Sequence, residues 1–126
     1  MNDELAMAKI EKITSDEYKK AFIAIRERMN ESDLLMLKSH YEASNYDITS
    51  SQLTHMAGFS GNIGAANLRY GLLARKLLDF FQIQLNNHIK LNILATFDNS
   101  TGEWHWTLRP QVVQALSELK SLGWFG

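Results

Sequence analysis

Cysteine is absent from the 126 residues. That excludes a disulfide framework and thiolate metal sites, and it suits a reducing compartment. No apolar run approaches the roughly 20 residues that span a bilayer. The opening MNDELAMAKIEK alternates acid and base and has no apolar core of a secretory signal. The expectation is a cytoplasmic protein with no membrane partner. Acid is missing from one place in particular: no Asp or Glu lies between Asp47 and Asp79, whereas Arg69, Arg75 and Lys76 fall inside that gap. A chain of net charge −1 can therefore still carry a locally positive face.

What is present is an ordinary globular composition, 45% apolar and 21% charged, in a length that makes one domain over 1–126. Residues 1–13 are expected to be flexible or peripheral. TSDEYKKAFIAIRERM opens on a capping box, Thr14 with Glu17, and sets Tyr18, Phe22, Ile25 and Met29 on one stripe. ESDLLMLKSHYEAS repeats the pattern, with Ser32 as cap and Leu34, Leu37 and Tyr41 in line. A short third helix is capped by Thr49 with Gln52, turns Leu53 and Met56 inward and stops at Gly58. After the turn SGNIG, a long helix from Ala65 to Phe81 buries Ala66, Tyr70, Leu73, Leu77, Phe80 and Phe81.

Beyond Phe81 the period changes to two. IKLNILATF alternates Leu91, Ile93, Ala95 and Phe97, DNSTG turns, and EWHWTL places Trp104, Trp106 and Leu108 on one face. Pro110 then starts a last helix that runs to Gly123. The fold class expected is mainly α with one β-hairpin. A short helix, a Gly-containing turn, a longer helix and a two-stranded wing make it a winged helix-turn-helix with an extra N-terminal helix. In helix-turn-helix proteins the second helix of the pair enters the major groove.

The glycines Gly58, Gly61 and Gly64 do not form a nucleotide-phosphate loop, because they follow a helix and lack the Gly-Lys-Ser/Thr ending. Opposite the apolar arc of the long helix stand Arg69, Leu72, Arg75, Lys76 and Asp79. Ser60, Asn62 and Asn67 cluster at its start, where they can take phosphate oxygens or, for Asn, pair with adenine. Capping is the favoured role for Ser60, and a buried hydrogen bond is an equal alternative for Asn67. Lys90 and an outward His105 extend the cationic set to the wing. Tyr70 is expected in the core with its hydroxyl partnered, and Gly71 to admit another element. Arg109, at a helix start where a cation opposes the dipole, calls for an anionic partner, a core salt bridge by preference.

Over ITSSQLTHMAGFSGNIGAANLRYGLLAR and GEWHWTLRPQVVQALSELKSLGWF, and by extension roughly residues 14–125, the chain resembles a domain found ahead of the nuclease module in a group of bacterial HNH endonucleases. The resemblance implies a recognition module for double-stranded DNA from restriction-type enzymes, with a nuclease module as its companion, and leaves the target and any preference for modified bases open. That companion's signature is missing here. There is no Cys, and the four His, at 40, 55, 88 and 105, lack ligand spacing. No cofactor and no catalytic activity are expected of this chain. The alternative is a protein-interaction domain, an inhibitor or regulator of a defence or transcription complex.

Overall fold

The computed structural model describes residues 3–56 and 63–125. The chain is mainly helical with a small three-stranded antiparallel sheet. Helix α1 (Asp3–Glu11) leads into α2 (Ser15–Ile25) and α3 (Glu31–Glu42). Strand β1 (Asp47–Thr49) runs directly into α4 (Ser50–Met56), and α5 (Ile63–Phe81) follows. A 3-10 segment over Asn87–Ile93 precedes β2 (Ala95–Asp98), β3 (His105–Leu108) and α6 (Pro110–Ser121).

Local signals set the helix starts. Thr14 and Glu17 exchange side-chain-to-backbone bonds of 3.1 and 2.8 Å, and Thr49 and Gln52 do the same at 3.1 and 3.0 Å. Both capping boxes are those read from the sequence. For α3 the cap is Asn30, not Ser32: Asn30 and Asp33 form the box, so the helix begins two residues earlier. Helix α6 starts with Pro110 at its first position and ends in a Schellman arrangement. There Gly123, at φ +95°, donates to the Lys120 carbonyl and Trp124 to that of Leu119. The turn swings Trp124 edge-on to Phe22 at 6.4 Å, closing α6 onto α2.

Asp3–Glu11 depart from the expected flexible or peripheral segment, since they form α1, which buries Ala6 and Ile10 in the common core. The hairpin departs as well. The alternation of Leu91 and Ile93 does not become strand, because residues 87–93 coil into a 3-10 segment. Its exit is pinned at three successive carbonyls: the Arg109 Nε–H donates to Asn92, the Tyr18 hydroxyl to Ile93 at 2.7 Å, and the Arg109 backbone N–H to Leu94 at 3.0 Å. Each buried carbonyl so acquires a donor. Arg109 is thereby buried against carbonyls; among the described residues no carboxylate meets it, which corrects the expected salt bridge.

A third strand was not anticipated. β3 is central, with β1 on one side and β2 on the other, all antiparallel. Ile48, Trp106 and Phe97 face one another across the three strands. Trp106 stacks on Tyr70 at 5.9 Å and meets the Phe97 ring edge-on at 6.1 Å, which docks the sheet on α5. Trp104 does not share that face; it precedes β3, where alternation has no meaning, and is 55% exposed. Met56 and Phe80, expected inward, are also exposed, each near the end of its helix.

Gly71 does admit another element. A β-carbon there would stand 2.8 Å from Cε of Lys90, whose stem crosses the helix at this point. The obstacle is the far end of a flexible chain, and mid-helix Gly costs about 1 kcal/mol against Ala. Gly71→Ala should therefore stabilise the protein slightly, by up to about 1 kcal/mol. Thermal melting checks this, and a fall of more than a few degrees would mean that Lys90 cannot move aside.

Candidate nucleic-acid interface

Helix geometry decides which side chains of α5 share a face. At 100° per residue, Leu68, Leu72 and Asp79 line the centre of the solvent side, with Arg75 on one flank and Arg69 and Lys76 on the other. Asn67 and Arg69 are two residues apart and so point in nearly opposite directions. They therefore do not share one face of the helix. Ser60 and Asn62 lie outside the described residues, as do Gly58 and Gly61.

The cations differ in what holds them. Arg69 is only half-exposed, and its guanidinium lies 3.8 Å from Oδ1 of Asp33, a carboxylate whose side chain is 1% exposed. It neutralises a buried acid and is not free, contrary to expectation. Arg75 donates to Oδ1 of Asn87 at 2.9 Å and to the Leu85 carbonyl at 3.4 Å. Those partners are neutral, so its charge is positioned without being cancelled. Among the described residues Lys76 and Lys90 enter no ion pair, although the stem of Lys90 is occupied in covering Gly71. Arg75, Lys76 and Lys90 thus carry the uncompensated charge of this side.

His105 shares the outer face of the sheet with Thr107, as expected, but it does not stand free. Its Nδ1 is 2.8 Å from Oδ2 of Asp47 on β1, and its Nε2 is 3.1 Å from Oγ1 of Thr101 in the hairpin turn. Thr107 donates to the other Asp47 oxygen at 3.0 Å. An acid, an imidazole and a hydroxyl in a row have the form of a nucleophile relay. The N–H groups flanking Thr101 are already spent, however. That of Ser100 goes to Asp98 and that of Gly102 to the Asn99 carbonyl, so they offer no pair of donors for an oxyanion. The arrangement ties β1, β3 and the turn together. Sequence spacing could not reveal Asp47 as partner, because 58 positions separate it from His105.

Beneath the sheet a second histidine is fully buried. His40 Nε2 lies 2.8 Å from the Trp106 carbonyl and Nδ1 lies 2.7 Å from the Tyr70 hydroxyl. The carbonyl can only accept, so Nε2 carries the proton and Tyr70 donates to Nδ1. Tyr70 is therefore a core residue with a satisfied hydroxyl, as expected. Burial pushes the His40 pKa down to about 4 and raises that of Tyr70 well above the ordinary phenol value, so both are neutral at pH 7. The pair joins α3, α5 and β3 and holds the outer face of α5 in place.

Elsewhere a hollow of about 560 Å³ lies between α1 and residues 82–86, lined by Asp3, Lys9, Gln82 and Gln84 among others. It gathers no catalytic grouping. Among the described residues no cluster of three His, Asp or Glu side chains could hold a metal ion, and no helix is long and apolar enough to cross a membrane. The chain matches no protein-family model, no curated protein and no solved structure. On the solvent side of α5, Leu68, 62% exposed, was not anticipated from the sequence. Its position one turn before the outward Leu72 was the available signal.

Proposed function

We propose that this chain is a winged helix-turn-helix module that binds double-stranded DNA, with α5 in the major groove and the β2–β3 hairpin as the wing. The observation that carries the reading is the element order from α3 onward: helix, strand, the α4–α5 pair, then a hairpin whose second strand pairs with the strand ahead of α4. In that design the second helix of the pair meets base edges with its N-terminal half, here Leu68 and Leu72, while flanking cations hold phosphates. Arg75, Lys76 and Lys90 fit the second task. The resemblance to the domain associated with HNH endonucleases supports the same function and adds a nuclease module as the natural companion.

Three phosphate contacts predict a salt slope near −3, so affinity for a labelled mixed-sequence duplex should fall about 40-fold between roughly 50 and 200 mM salt. Lys76→Ala should weaken all sequences alike and reduce the slope by about one, leaving a fall of about 10-fold. Absence of duplex binding, or binding indifferent to salt, would reject the proposal. In its place would stand a protein-interaction domain, the reading that the exposed Leu68 and Leu72 favour.

A further inference from the structure

We infer that α5 recognises C5-methyl groups of pyrimidines in the major groove through Leu68 and Leu72, an inference that rests on the DNA-binding reading. These two side chains, 62% and 41% exposed, occupy the centre of the solvent stripe, one turn apart. A base-reading helix ordinarily offers hydrogen-bonding groups there. Leucine has none, and the one apolar group that base edges present in the major groove is the methyl at pyrimidine C5. Thymine carries it, and so does 5-methylcytosine.

Two observations choose DNA as the occupant of this apolar strip. The first is charge: Arg75 and Lys76 flank the leucines, and from Ser50 to Leu78 the sequence contains no acid that would repel phosphate. The second is spacing. Residues four apart in a helix rise about 6 Å, close to two base steps of about 3.4 Å, so Leu68 and Leu72 can each meet a methyl two steps apart along the groove. Asp79 lies on the same stripe two turns beyond Leu72, away from the N-terminal half that approaches base edges.

The test begins by selecting the tightest duplex from a randomised pool carrying both thymine and 5-methylcytosine. That duplex is then resynthesised with uracil for thymine, with cytosine for 5-methylcytosine, or with both. Removing the recognised methyls should weaken binding about tenfold, at roughly fourfold or less for each methyl. Loss on the uracil duplex assigns thymine as the source, and loss on the cytosine duplex assigns 5-methylcytosine. The Leu68→Ala, Leu72→Ala variant, changed only at surface positions, should bind all four duplexes within twofold of one another. Equal affinity of the parent for the duplex stripped of every C5-methyl would overturn the inference while leaving DNA binding intact. If the parent binds none of the duplexes, the functional reading fails and this inference with it.

Discussion

Replacing His40 by alanine is expected to cost about 4 kcal/mol of stability, a large share of what a domain of this size has. The substitution opens a cavity among α3, α5 and β3 and strips partners from two buried groups at once: the Tyr70 hydroxyl, bonded at 2.7 Å, and the Trp106 carbonyl, bonded at 2.8 Å. Each unsatisfied group costs about 1–3 kcal/mol, with the cavity in addition. At roughly 4 °C per kcal/mol the melting temperature should fall about 15 °C. A fall of less than about 4 °C would mean that the network contributes little.

The same residue makes the protein sensitive to acid. Desolvation lowers the folded-state pKa of His40 from 6.5 to about 4, against smaller opposing effects of the Trp106 carbonyl and Asp47. The unfolded chain therefore binds the proton more readily. The stability that the neutral ring contributes is complete above about pH 6.5 and is lost progressively as the pH falls toward 4. At about 1.4 kcal/mol per pKa unit the loss comes to about 3 kcal/mol. Denaturant unfolding at intervals between pH 7 and 4 measures it directly. His40→Phe, which cannot titrate, should show a visibly shallower decline than the parent. Parallel curves would place the acid sensitivity in other groups.

Arg69→Ala is the second large effect, and it reverses the expectation for a surface cation. Asp33 gives one oxygen to the Asn30 N–H at 3.1 Å; the other has no hydrogen bond and only the Arg69 guanidinium at 3.8 Å for compensation. Removing the cation leaves a buried carboxylate unpaired, an event that costs 3–5 kcal/mol in well-formed buried pairs. Here the Arg69 side chain is 30% exposed and the contact is long, so about 2–3 kcal/mol is expected. Adding Asp33→Asn keeps an acceptor for the Asn30 N–H and removes the charge, and it should restore more than half of the loss. Chemical unfolding of the two variants checks both steps. If Arg69→Ala were to melt within about 2 °C of the parent, the pair would have no structural role. Binding by this variant has to be measured well below its melting temperature, since unfolding alone would mimic lost contacts.

Features that depend on neighbours a few positions apart were legible in the chain itself. The capping boxes at Thr14 and Thr49, the buried stripe through Ala66, Tyr70, Leu73 and Leu77, the Pro110 start and the Gly123 stop are all local patterns, and the helices follow them. A turn that lets two short strands meet was legible for the same reason. Tertiary structure decided the rest, because its determinants lie far apart in the chain. β1 is three residues long, too short for a period to register, and becomes a strand only because β3 arrives beside it from 58 positions away. Residues 87–93 alternate like a strand, yet Tyr18 and Arg109 take the carbonyls at its end. The wheel of α5 could show that Arg69 leaves the apolar arc, but not that a buried Asp33 on another helix waits for it. Charge was readable as composition; whether a charge is free, positioned or cancelled depends on the partner that folding brings within about 4 Å, and that partner is invisible to spacing.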